Sequence, residues 1–188
     1  MSEDDSLDEE RAPRLEYFAD RLNRVFAYYF CVLEFEDDEN FLSDPAKNDR
    51  AWALQTIKNA CLHESLLAVR DLDDFLKPRT DKSRDDDLKA SDFGYFENHS
   101  FLGATERDSI NKLIAHTTFV GAASQGSRWG VWELTSKCVS QCLWFLQWVE
   151  TTQAAHFLLW TAAIACRAKT KKIFSYIAGG IAKRREET

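Results

Sequence analysis

Histidine is the side chain best suited to move a proton near neutral pH, and this 188-residue chain holds four: His63, His99, His116 and His156. His63 belongs to a polar line of Asn59, His63, Arg70 and Asp74, spaced four, seven and four residues apart. At helical pitch these four fall within about 60° of one another, on a face bordering an apolar stripe. His116 projects from a different side of its own helix than the apolar residues do, near Ser109 and Lys112. A histidine so placed could serve as a general acid or base. An arginine such as Arg70 could neutralise a phosphate with its planar, permanently charged fork. Each also has a plain structural role open to it: His116 can bond to neighbouring backbone, and Arg70 can pair with Asp74 one turn on.

Cysteine gives less. Cys138 and Cys142 stand one turn apart and could share a metal, but no other Cys or His follows at ligand spacing, so core packing is the better reading and no metal or cofactor is expected. Glycine-rich phosphate loops, GxSxG, HExxH and paired CxxC motifs are absent. The carboxylate pairs Asp73–Asp74 and Asp85–Asp87 read as solvated faces.

The elements that must position these residues read as helices. Hydrophobic residues make up 45% of the chain, with 13 Phe and six Trp but only seven Gly and three Pro. So few breakers favour helices over a sandwich or barrel with its regular turns. The expectation is an all-α single domain of about five long helices. A disordered acidic tail is expected at 1–12, with six acids in its first ten residues, the bundle spans 13–178, and a basic tail occupies 179–188. The spacing predicts helices at about 13–35, 46–77, 105–120, 131–152 and 154–178, with one short helix at 86–93. Leu54, Ile57, Leu62, Leu66, Val69 and Leu72 belong to the apolar stripe of the second helix. Thr105 with Asp108 resembles a helix N-terminus.

Net charge is −7 but uneven: bases gather at Arg167, Lys169, Lys171, Lys172, Lys183, Arg184 and Arg185. That cluster suits a helix C-terminus, or a face for phosphate or RNA. No leader peptide is read at the start, and no apolar run reaches the roughly twenty residues of a membrane span. The five cysteines are then reduced thiols, and a cytoplasmic protein is expected. The helices at 131–152 and 154–178 are apolar almost all round. With Trp132, Trp144, Trp148, Phe157 and Trp160, they offer more apolar surface than such a bundle can hide, which predicts a homodimer through them.

Two stretches resemble a family. Leu66-Leu67-Ala68-Val69-Arg70-Asp71-Leu72-Asp73-Asp74-Phe75-Leu76 is followed forty residues on by Ile110-Asn111-Lys112-Leu113-Ile114-Ala115-His116-Thr117. Together they are similar to small bacterial proteins of the HEPN type (higher eukaryotes and prokaryotes nucleotide-binding), over about Trp52 to Thr118. The resemblance implies an all-α bundle that dimerises, and a metal-independent ribonuclease of a toxin–antitoxin or phage-defence system. It also implies a site of Arg70, Asn111 and His116, acting on or binding RNA or a nucleotide, and an antitoxin or other protein as partner. The sequence departs from the family in one respect. Ile110 and Asn111 stand where the ribonuclease members carry an arginine, and Arg107 comes one or two turns too early. Catalysis is therefore left open. The alternative is a non-catalytic dimeric protein-interaction module, in which the polar residues are structural.

Overall fold

The computed structural model describes residues 3–35, 47–81, 83–84, 87–97, 99–115 and 130–186. Among them the chain is an all-α bundle. Its helices are α1 (Glu3–Arg24), α2 (Ala27–Phe35), α3 (Lys47–Phe75), α4 (Ala104–Ala115), α5 (Val131–Thr152) and α6 (Phe157–Glu186), with one 3₁₀ turn at Ala90–Phe93. No helix among the described residues is long and apolar enough to cross a membrane.

Four long helices form a ring in which α1 packs on α3 and α6, and α5 packs on α3 and α6. The centre is aromatic. Phe18 of α1, Phe75 of α3, Phe93 of the 3₁₀ turn and Phe145 of α5 are all buried. Their ring centroids lie 4.8 to 6.1 Å apart, mostly edge to face, the geometry that ring quadrupoles favour.

The expected helix at 13–35 is two helices. α1 starts at Glu3, inside the stretch read as an acidic tail, because acids suit the positive end of the helix dipole. Pro13 lies within α1 rather than opening it, at the cost of one backbone hydrogen bond. The break falls at Val25 and Phe26, both wholly buried, and a buried break must satisfy its freed backbone groups. Ser65 of α3 does so. Its hydroxyl accepts from the Tyr28 N–H at 3.0 Å and donates to the Arg24 carbonyl at 3.3 Å. The chain turns outward there so that α2 can pack against α3 and α6.

α3 follows the expected stripe, with Leu54, Leu66, Val69 and Leu72 buried, except that Ile57 is exposed. Of the region expected as a short helix at 86–93, the described residues 87–93 hold a 3₁₀ turn, closed by Gly94 at φ 86°, a left-handed position that a side chain would strain. α6 runs to Glu186, through the stretch read as a basic tail, because its apolar spacing continues: Ile177 is buried and Gly180 meets α2. A Cβ on Gly180 would stand 2.9 Å from Leu33 Cδ2, so glycine permits the close approach.

α5 is central, with eight buried residues including Cys138, Cys142, Phe145 and Leu146. Trp132 stacks on Phe174 of α6 at 5.1 Å, and Trp148 packs on Tyr95 and Phe145. Two of the tryptophans counted as surplus surface are thus used inside the chain. Trp144 and Phe157 are not: they are 63% and 66% exposed.

Candidate functional site

The polar line on α3 is as expected in one respect: Asn59, His63, Arg70 and Asp74 are all half-buried. Their partners differ. Arg70 bonds to its neighbour Asp71 at 3.2 Å, and Asp71 also lies 3.8 Å from Arg21 of α1. Asp74 turns instead to Arg107 of α4 at 2.9 Å and to Lys77 at 3.4 Å.

Asp73 organises this end of the bundle. Its side chain is wholly buried, four residues after Val69 and seven after Leu66, so it occupies the core side of α3. A buried carboxylate persists only when it is paired and bonded. Oδ1 accepts from the Phe101 N–H at 2.8 Å, the Leu102 N–H at 3.0 Å and the Ser100 hydroxyl at 3.0 Å. Oδ2 takes Lys77 at 3.0 Å and the Arg107 guanidinium. Burial alone would raise its pKa; the Leu102 N–H, Lys77 and the Phe101 N–H outweigh burial and hold it below the ordinary carboxylate value.

The cluster ties the 99–103 segment and α4 to α3. At the start of α4, the Glu106 carboxylate accepts from the Gly103 N–H at 2.8 Å and pairs with Lys137 of α5 at 2.9 Å. The capping acid is thus Glu106 rather than Asp108, which pairs with Lys112 one turn on at 2.7 Å. Ile110 plugs α4 into the core.

α4 carries one of the other expected site residues, Asn111. Asn111 is exposed at its surface, and His116 lies outside the described residues. The structure therefore places Arg70 and Asn111 on different helices. Asp73 and Arg107 were missed as a pair, although their signal was present: an acid at core spacing, and an arginine three residues before the buried Ile110.

A cleft of about 1130 Å³ opens between α1 and the segment after α3, with Tyr17, Arg21, Asp71, Lys77 and Lys89 in its walls. Neither Arg70 nor Asn111 lines it. Its charges are mutually committed: Arg21 donates to the Tyr17 hydroxyl at 2.8 Å, and Lys89 donates to the Asp74 carbonyl at 2.8 Å. On the far side, Arg79 closes the loop by donating to the carbonyls of Arg84 and Asp87 and to the Asp92 carboxylate. His99 is likewise engaged, stacked on Tyr95 and bonded to Gln141 at 2.9 Å and Glu97 at 2.7 Å.

Among the described residues, no group of three His, Cys, Asp or Glu is arranged to hold a metal ion. Cys142 is buried beside Cys138, and burial pushes its thiol well up; Cys166 is raised to about 11 by the same cause. Neither is a nucleophile at neutral pH. What this arrangement does chemically is fasten helices: the acids and bases of the Asp73 cluster neutralise one another. No family model, curated protein or solved structure matches this chain.

Proposed function

We propose that this protein is a non-catalytic helical interaction module that associates with a second copy of itself. One observation carries the reading. The bundle commits its clustered charges to internal pairs, yet leaves Phe157, Leu158 and Ile164 of one helix 66%, 48% and 38% exposed. Apolar residues grouped on one helix face of a water-soluble bundle mark a docking surface. Light scattering across about 1 to 50 micromolar tests this, bracketing the affinities of reversible protein pairs. A mass that rises to twice that of the chain is expected, and a monomer throughout the range would end the reading.

A second reading, an RNA-binding protein or metal-independent ribonuclease with a degenerate HEPN-like site, has one specific support. Asn111 and Lys112 are exposed on α4, immediately before His116. There a histidine could pass a proton at the ribose 2′-OH without a metal. RNA cleavage that persists in EDTA, leaves a 2′,3′-cyclic phosphate and disappears in His116→Ala would favour it over the first.

A further inference from the structure

Lys89 stands in the wall of the cleft between α1 and the segment after α3, and only 9% of it is exposed. Lysine is seldom buried so far unless its charge is paired. The Lys89 ammonium donates to the Asp74 carbonyl at 2.8 Å, in the last turn of α3. That bond engages the lysine without neutralising it. Among the described residues Lys89 forms no ion pair, whereas Arg14, Arg21 and Lys77 in the same walls pair with Glu10, Asp71 and Asp73. The neighbouring carboxylates face elsewhere. Asp74 takes Arg107 and Lys77, and Asp87 accepts from the Arg84 N–H at 3.0 Å. Asp92 takes Arg79 and the backbone N–H of Lys89 itself, at 2.9 Å. The negative end of the α3 dipole attracts the ammonium but supplies no full counter-charge.

The cleft around this cation suits a small molecule. Its volume of about 1130 Å³ slightly exceeds the roughly 300 to 1,000 Å³ of ordinary ligand clefts. Leu72, Phe75 and Leu88 give the walls an apolar stretch, and the Tyr17 ring stands on the α1 side, 52% exposed. Arg21 steadies that ring, donating to its hydroxyl at 2.8 Å with the guanidinium carbon 5.1 Å from the ring centroid. Lys89 is held at both ends, its backbone by Asp92 and its ammonium by Asp74, so the charge is positioned before any ligand arrives.

We propose that this cleft binds a small organic monocarboxylate, with its carboxylate on the Lys89 ammonium and its apolar or aromatic body along Leu72, Leu88 and Tyr17. The inference is independent of self-association. Charge selects the class of ligand. The walls hold a cation without a carboxylate partner, set among Asp71, Asp74, Asp87 and Asp92. One negative charge is attracted there, whereas a phosphate dianion or a nucleotide brings further charge against those four acids. A carboxylate also offers two acceptor oxygens to an ammonium that still has N–H groups to donate. The apolar walls then favour an acid with a ring or branched chain over one as small as acetate.

The test titrates the full chain with benzoate, acetate and inorganic phosphate, followed by NMR chemical shifts, beside Lys89→Met, which keeps the stem and removes the charge. Saturable benzoate binding in the millimolar range is expected, as suits a ligand of so few atoms. Acetate should bind at least about tenfold more weakly, and phosphate should not saturate. Lys89→Met should weaken benzoate about tenfold or more, and Tyr17→Ala several-fold. Without ligand, Lys89→Met should have a urea midpoint equal to or above that of the unaltered chain, because it removes a buried cation that lacks a counter-charge. Benzoate that does not saturate, that binds either variant as well as the unaltered chain, or that binds more weakly than phosphate overturns the proposal. So does a Lys89→Met chain with a lower midpoint or no fold, which would make the ammonium a cap for α3 and nothing more.

Discussion

The Arg107 guanidinium of α4 bonds to the Asp73 carboxylate of α3, and that carboxylate has no exposure to water. An ion pair of this kind is not a general source of stability, since desolvation consumes most of its attraction. Its consequence is specific. α4 packs chiefly on α3, so the pair fixes where Asn111 stands on the bundle. It also draws Phe101 and Leu102 inward by their backbone N–H groups.

Removing Asp73 takes the acceptor from the Phe101 and Leu102 N–H groups, while Arg107 and Lys77 keep Asp74. Asp73→Ala should therefore cost about 2 to 5 kcal/mol, read as the shift of the urea midpoint at pH 7. Asp74→Ala, whose side chain is 43% exposed, should cost about 1 kcal/mol or less. Equal losses from the two variants would contradict the burial difference.

Acid should act through the same residue. Asp73 and Glu106 both have folded pKa values below their ordinary ones. For Glu106 the Gly103 N–H is the main cause, with Lys137 second. A carboxylate depressed in the folded state stabilises it fully above its unfolded pKa, near 4, and loses that contribution as pH falls through the folded value. Stability should be flat from about pH 7 to 5 in respect of these groups, then fall. Urea titrations at several pH values should show Asp73→Asn less stable at pH 7 and less sensitive to further acidification than the unaltered chain.

Much of the fold was legible because apolar spacing survives tertiary context: Leu66, Val69 and Leu72 on α3, and Val139, Cys142 and Leu146 on α5, are all buried as their spacing requires. The break at Val25–Phe26 was not legible. Both residues continue the helical pattern, and what tolerates the break is Ser65, forty residues away in sequence. The candidate site was less legible for a similar reason. Arg70 looked like a partner for Asp74 one turn on, but Asp74 is taken by Arg107 from another helix, a pairing no local spacing encodes. The surplus of tryptophan also misled in part, because the partners of Trp132 and Trp148 lie on distant segments.

Ser65→Ala tests the break directly. The substitution leaves the Arg24 carbonyl and the Tyr28 N–H without their partner in a part-buried setting. A loss of about 1 to 3 kcal/mol is expected. A neutral result would mean that water or a local shift satisfies both groups.

The two tryptophans of α5 should behave oppositely. Trp148→Glu places a charge against Tyr95 and Phe145, and a loss of about 3 kcal/mol or more, or failure to fold, is expected. Trp144→Glu changes a largely exposed side chain and should move the melting temperature by only a few degrees.

The last expectation concerns RNA. In the HEPN-like reading a cation must meet the phosphate while His116 moves the proton. Among the described residues, the cations on α3 and α4 that the reading could use are engaged: Arg70 with Asp71, Arg107 with Asp73 and Asp74, and Lys112 with Asp108. Lys112 is the most accessible, at 68% exposure, but an ammonium lacks the fork geometry that two phosphate oxygens require. The bases toward the end of α6 offer a diffuse, salt-sensitive attraction for phosphate. No turnover of single-stranded RNA is therefore expected, with magnesium or in EDTA, and any binding at low salt should fade steeply by about 200 millimolar salt. His116→Ala should leave that binding and the dimer unchanged. Cleavage in EDTA that falls about 10²- to 10⁴-fold in His116→Ala, the usual weight of a general acid or base, would instead make the histidine catalytic and return the ribonuclease reading to first place.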